Sequence, residues 1–178
     1  MLTTLVLFFY SHSNPNTLES VLSNELKNIE VWLRCNKLLV NVKKTSYLIF
    51  KPWQKKCYHN FSISLGGQLL TQTNATKFLG VYIDEHLTWK DHIGYLCTQI
   101  SKSIGMLFRS RFYLSSKTKL TLYHSLIYPY VSYCNSTQSS TYVTNLNRIH
   151  CLEKRAVRAI TNSDYRAHSA PLFSKIGI

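Results

Sequence analysis

The sequence predicts an α+β chain: short antiparallel strands plus one amphipathic helix, followed by an all-α helical bundle. Three observations predict this. Apolar residues recur at helical spacing from Leu18 to Leu33. Alternating β-favouring residues, punctuated by proline and glycine, fill the stretch from Leu38 to Ile83. From Thr88-Trp89 onward the helical period returns and persists to the end. The change of period places a boundary near residue 88, giving units 1–87 and 88–178.

Each element has its local cause. Leu5–Ser11 reads as a short apolar strand. Ser13-Asn14-Pro15 then supplies a cap with proline in the first helical turn, and a helix is predicted from about 15 to 35. Glu19, Glu25, Lys27 and Glu30 fall mostly off its apolar stripe. Leu38, Val40 and Val42 alternate and Tyr47–Phe50 continue in β-favouring residues, which predicts a strand or hairpin stopped by Pro52. After a polar connection over 54–60, Phe61, Ile63 and Leu65 alternate up to the turn signal Gly66-Gly67. Lys77–Ile83 reads as one further strand, with Gly80 in its middle as a bulge or a point of close approach. Three apolar stripes follow: Ile93 to Phe108, Leu120 to Cys134 with a kink expected at Pro129, and Leu146 to Ile160. A short segment from Pro171 ends the chain.

Apolar content of 45% and 13% aromatics are those of a folded protein. The charge is one-sided: 21 Lys and Arg against 8 Asp and Glu, a formal net of +13. Residues 88–178 carry 12 of those bases and 3 of the acids, a net of +9, against +4 for residues 1–87. Such an excess favours a polyanionic partner, because cations that neutralise phosphates release condensed counterions. The competing reading is a basic surface that only keeps the protein in solution.

Five scattered cysteines, Cys35, Cys57, Cys97, Cys134 and Cys151, form no C-x-x-C pair and suit neither a zinc site nor a disulfide framework. Four stand on or beside apolar helical faces and read as small buried hydrophobes. The seven histidines have no metal-ligand spacing. The apolar start is short, with no preceding Lys or Arg and no following cleavage site, so it reads as a strand and not as a leader. No run approaches the ~18 apolar residues of a membrane span. The expectation is a reduced, intracellular chain, nuclear or cytoplasmic, with no membrane partner.

Candidate binding residues lie on the predicted helices. Arg148, Arg155 and Arg158 share a face beside the apolar one, with Lys154 adjacent, and Lys102 and Arg109 are seven apart. Aligned cations of this kind can follow a phosphate backbone; an ordinary solvated face gives the same pattern. Catalysis is harder to place. Among the eight acids only Asp84 and Glu85 are adjacent, and on a strand they point to opposite faces, which suits a strand end better than a metal clamp. Read from its residues alone, the chain binds something polyanionic and does no chemistry.

The string Lys77-Phe78-Leu79-Gly80-Val81-Tyr82-Ile83-Asp84, followed by Leu87-Thr88-Trp89-Lys90-Asp91-His92-Ile93, resembles the stretch after the palm of LINE-type (non-long-terminal-repeat) retrotransposon reverse transcriptases of the jockey-like group. Asn36-Lys37-Leu38 and Asn41-Val42-Lys43-Lys44-Thr45 resemble the segment before it. The strings 126–135 and 152–158 are similar to the family's helical thumb and the region after it, so the resemblance runs over nearly the whole chain. It implies an incomplete palm over 1–87, followed by a thumb-like helical bundle over 88–178. It also implies that Phe78, Leu79 and Gly80 lie in the primer-grip hairpin that holds the 3′ end of the growing strand. Lys44 would stand near the incoming nucleotide as a candidate proton donor, or be simply exposed at a strand end. The residues from Lys90 onward would grip template and primer without reading sequence. The implied partner is an RNA/DNA template-primer, with association with other reverse-transcriptase parts as a further option.

Two departures qualify that resemblance. The family's aromatic-Ala-Asp-Asp motif, whose carboxylates hold Mg2+ in the parent enzymes, stands shortly before the position of Phe9-Tyr10-Ser11-His12; here Met1-Leu2-Thr3-Thr4-Leu5 occupies its place. Back-translation with a two-base skip is compatible with Ala-Asp-Asp-Thr, so the start reads as out of frame across a decayed motif, returning to frame near Phe8. The genomic codons test this: Thr3 and Thr4 must be encoded as overlaps compatible with GAC. Ser136-Thr137-Gln138 replaces an apolar pair ending in tryptophan. The expectation is a fragment of an RNA-directed DNA polymerase that retains at most template-primer binding, has no cofactor in this chain and is inactive alone. The alternatives are a recruited, sequence-independent nucleic-acid-binding module and a non-functional relic.

Overall fold

The computed structural model describes residues 10–54, 59–133, 135 and 141–177, arranged as an α+β chain in two compact units, Met1–Thr76 and Lys77–Ile178. The expected strand at Leu5–Ser11 lies almost wholly outside the described residues. So do Cys57, Cys134 and the Ser136-Thr137-Gln138 departure.

The first unit is built on helix α1, Pro15–Cys35. The Asn14 side chain accepts from the Asn16 amide at 3.0 Å and Pro15 opens the helix, as the sequence predicts. Two of the acids that fall off the apolar stripe tie down the following chain. Glu19 accepts from the Ser62 amide at 2.8 Å and pairs with His59 Nε2 at 2.7 Å; Glu30 accepts from the Gly66 amide. The bond to His59, then that from Ser62, holds the Glu19 carboxyl below its ordinary range. Leu33, Ile63 and Leu65 are buried, whereas Val21 and Trp32 of the predicted stripe are only partly covered.

The strand predicted from Leu38 is corrected. Lys37 turns the chain at φ 55°, and the Leu38 amide returns to the Leu33 carbonyl. The Asn41 carbonyl then accepts from Lys44 N and Thr45 Oγ1, closing a 3-10 turn over Val42–Lys44. These local bonds use backbone groups that a ladder would need. Only β1, Ser46–Tyr47, remains as strand, paired in parallel with β4, Thr71–Gln72. Between them β2, Ser64–Leu65, and β3, Gln68–Leu69, form an antiparallel hairpin around Gly66-Gly67, the predicted turn, with φ of 59° and 73°.

The expected single strand Lys77–Ile83 is also corrected. It is a hairpin of β5, Ala75–Phe78, and β6, Val81–Asp84, and the two compact units meet within β5. The reason is that β6 packs against the long helix after it. That helix, α2, spans Lys90–Ser110; α3 is Ser116–Leu126, α4 Tyr128–Ser132, α5 Val143–Thr161 and α6 Ala170–Ile176. Pro129 stands at the start of α4, and the second predicted helix is broken at Ile127.

The core is the seam between α2 and α5, closed by α3. Ile93, Leu96, Ile100, Ile104 and Leu107 from α2 meet Ile149, Leu152, Ala156, Ala159 and Ile160 from α5, with Tyr123 and Ile127 against them. Each large apolar side chain buried there contributes about 1.5–3 kcal/mol. The cysteine reading is corrected: Cys35 and Cys151 are exposed and Cys97 half-buried, because each stands at the margin of its helix's apolar face.

Candidate nucleic-acid interface

The hairpin β5–β6 turns on Leu79 and Gly80, both at positive φ (45° and 87°). Turns of this hand suit Asn-Gly, and a branched leucine at positive φ costs about 1–2 kcal/mol. Leu79 nevertheless stands at the tip with 65% of its surface exposed. The Tyr133 hydroxyl donates to the Leu79 carbonyl at 2.7 Å and fixes the turn. A Cβ on Gly80 would meet only Tyr133 Cε1, at 3.8 Å, so among the described residues its φ, and not a neighbouring backbone, calls for glycine. Behind the tip, the Lys77 ammonium lies 5.2 Å from the Tyr82 ring and 4.8 Å from the Tyr95 ring, which joins the hairpin to α2. Phe78 is half-buried beside the tip.

The connection from this hairpin to α2 is organised by Asp84. Its Oδ1 accepts from the His86 and Thr88 amides, each at 3.0 Å; its Oδ2 accepts from the Trp89 amide at 2.9 Å and the Thr88 hydroxyl at 3.1 Å. Burial pushes its pKa up, but the amides of Thr88, His86 and Trp89 and the Thr88 hydroxyl outweigh burial and hold it below the usual carboxylate value. The Thr88 carbonyl in turn accepts from Thr141 Oγ1 at 2.9 Å, and Thr141 accepts from Asn145 Nδ2 on α5 at 3.0 Å.

Magnesium, which the resemblance implies for the parent enzymes, takes oxygen ligands with carboxylates foremost. Asp84 has both oxygens engaged by its own turn, and Glu85 lies 3.5 Å from His86 Nε2. Among the described residues no three His, Cys, Asp or Glu side chains gather as a metal-holding group. The described residues do not fit such a metal.

What the bundle does gather is positive charge. An open groove of about 540 Å3 runs along α2, lined by Gly94, Cys97, Thr98, Ser101, Lys102, Gly105 and Arg109, with Arg148 reaching in from α5. Small residues one turn apart make the floor, so a bulky backbone can approach the helix closely; the three cations edge it. The Cys97 thiol is pushed up by burial, against the opposing Arg148 charge, and so stays neutral in the floor. No Asp or Glu occurs between Asp91 and Glu153 in the sequence. Among the described residues Lys102, Arg109 and Arg148 are in no ion pair with a carboxylate.

The remaining predicted residues separate. Arg155 is exposed on the same face of α5 as Arg148, while Lys154 is half-buried to one side. Arg158 Nε donates to the Ala167 carbonyl at 2.9 Å and ties down the loop after α5, much as Arg109 Nε donates to the Gly105 carbonyl at 3.3 Å within α2. Lys44 is exposed at the end of the 3-10 turn in the first unit. Phe78, Leu79 and Gly80 are not among the groove's lining residues.

Sequence reasoning missed two features. Lys119 is fully buried, its ammonium donating to the Arg111 carbonyl at 3.2 Å and Asn162 Oδ1 at 2.9 Å, so it joins the ends of α2, α3 and α5. Its neighbour Leu120, assigned to the core by periodicity, is only half-buried. The other is the α2–α3 turn, where Arg111, Phe112 and Tyr113 set charge beside aromatic surface just after Arg109; their adjacency in sequence was the available signal.

Among known proteins the chain is similar, at 25–28% identity, to RNA-directed DNA polymerases of Drosophila mobile elements. It is 25% identical over 176 residues, 97% of its length, to the "Probable RNA-directed DNA polymerase from transposon BS" of Drosophila melanogaster. It is 28% identical over 130 residues, 71% of its length, to the "RNA-directed DNA polymerase from mobile element jockey" of Drosophila funebris. The matches cover 19% and 14% of those two proteins, so the chain spans less than a fifth of the length of these curated relatives. No family model and no solved structure matches the chain. Among the described residues no helix is long and apolar enough to cross a membrane.

Proposed function

We propose that this chain is a template-primer-holding part of a retrotransposon reverse transcriptase, with an incomplete palm over 1–87 and a thumb-like bundle over 88–178. The observation that carries the reading is the convergence of Lys102 and Arg109 on α2 with Arg148 on α5 around a floor of small residues, free of carboxylates. Such an edge neutralises phosphates without reading bases, which is what holding an arbitrary template requires. Arg155 and Lys154 extend the row along α5. The strained, exposed Leu79-Gly80 tip is the candidate contact for the primer end, and Phe78 supports it. Strain held at an exposed position is a mark of a functional contact. Arg158 acts indirectly, by fixing the loop after α5. Lys44, in the first unit, stands as the candidate proton donor near an incoming nucleotide.

Nucleotidyl transfer, the activity named for the relatives, would have to draw its carboxylate clamp from outside the described residues. The test measures binding of the purified chain to a labelled RNA–DNA primer-template across about 50 to 200 mM salt, with primer extension in parallel. Salt-sensitive binding without extension is the expected result. Extension by a pure sample would show that the chain supplies its own metal clamp, and no binding at low salt would remove the reading.

A further inference from the structure

Phe112 and Tyr113 occupy the turn between α2 and α3 with 74% and 88% of their surface exposed. Neither joins the core, and two adjacent aromatic rings in water gain nothing from burial there. The turn that presents them is well anchored. Tyr113 and Leu114 both donate from their amides to the Ser110 carbonyl, at 3.0 and 3.2 Å, and the Arg111 carbonyl accepts from the buried Lys119 ammonium. The Arg111 guanidinium lies 4.5 Å from the Phe112 ring centre and 5.6 Å from that of Phe108. Arg109, at the edge of the groove, stands two residues before Arg111 and continues the same run of charge.

We infer that this turn is a stacking tip for unpaired nucleotides, taking the bases of a single strand that leaves the duplex held along the groove. Aromatic faces stack on any base, and flanking guanidinium groups accompany the phosphates between stacked bases. A protein partner would also cover two aromatic rings. The absence of any acid from His92 to Leu152, with Arg111 on the Phe112 ring and Arg109 and Lys117 within five residues of both rings in sequence, favours a polyanion over an ordinary protein surface. The inference rests on the groove reading above, and it adds a second ligand form, the unpaired strand.

The test uses the full chain and three labelled ligands: a blunt RNA–DNA duplex, the same duplex with a single-stranded template overhang, and that overhang built from abasic sites. The natural chain is expected to bind the base-bearing overhang about fivefold or more tighter than the blunt duplex, and to lose that gain with the abasic overhang. The double variant Phe112→Ala/Tyr113→Ala is expected to lose the gain while its affinity for blunt duplex stays unchanged. Phe112→Trp is expected to keep it. Circular dichroism shows whether the variants fold. Equal binding of base-bearing and abasic overhangs, or a gain that survives in the double variant, overturns the inference and leaves the groove reading standing. Loss of self-association in the double variant with the gain intact would assign the tip to a protein contact and overturn it too. Failure to bind any of the three ligands would overturn both readings.

Discussion

The Tyr133 hydroxyl donates to the Leu79 carbonyl across 2.7 Å, tying the residue just beyond α4 to a hairpin tip far away in sequence. The bond meets a turn whose first residue is held at φ 45°. Tyr133→Phe removes it with little change of shape. The expected loss is about 0.5–1.5 kcal/mol, toward the low end because both residues are exposed. Hydrogen exchange at the amides of 77–83 checks it and should rise there before it rises in the bundle.

Leu79 itself separates stability from function. Leu79→Asn gives the turn its preferred Asn-Gly pair and should raise the thermal midpoint, with about 1 kcal/mol of strain relieved. If the exposed leucine contacts a primer end, the same variant weakens template-primer binding. A variant that is both less stable and equally tight would contradict both expectations.

Asp84 couples stability to acid. Its folded pKa lies below its ordinary value, so its contribution is complete above the unfolded pKa. It is lost as pH falls through that value toward the lower folded one. Asp84→Asn should therefore be destabilised near neutral pH, with the difference from the natural chain shrinking in acid. Denaturant unfolding at neutral pH and at about pH 3 compares the two.

Alkaline unfolding should carry the signature of two core groups with opposite signs. Burial, followed by the Glu153 and Tyr128 charges, pushes Tyr123 up from 10.0 to about 12, so its contribution falls as pH rises above 10. Burial, then the Arg111 charge, pushes Lys119 down from 10.5; its contribution improves as pH rises from that lowered value toward 10.5. Tyr123→Phe should flatten the loss above pH 10, and Lys119→Met should flatten the gain below it. Unfolding midpoints along a pH series distinguish them.

The groove predicts a change in salt dependence. Lys102→Ala, Arg109→Ala and Arg148→Ala should each weaken primer-template binding across all sequences and lower the salt slope by about one unit. Arg158→Ala should instead lower stability and leave the slope unchanged, because its guanidinium serves the Ala167 carbonyl.

Much of the fold was legible in advance. The Asn14-Pro15 cap, the Gly66-Gly67 turn, the break near Pro129 and the two long bundle helices arise from patterns only a few residues wide. The short strands were less legible. The alternation of Leu38, Val40 and Val42 looked like a ladder, but Asn41 and Lys37 offered local hydrogen bonds that won. Lys77–Ile83 looked like one strand because nothing in a leucine announces positive φ.

The class of fold, the basic excess of the second half and the helices that carry it follow from periodicity and charge, which are local properties of the chain. Which cations meet depends on packing between distant elements. Arg148 joins Lys102 and Arg109 because α2 and α5 bury their stripes against each other in one register, whereas Arg158, on the same helix as Arg148, turns to a loop carbonyl. Lys119 is buried for the same reason, its partners Arg111 and Asn162 coming from other elements, whereas Asp84 is satisfied locally by its own turn. A polar group's role is set by the partners that packing brings within about 3 Å, and those partners come from parts of the chain that its neighbours in sequence do not specify.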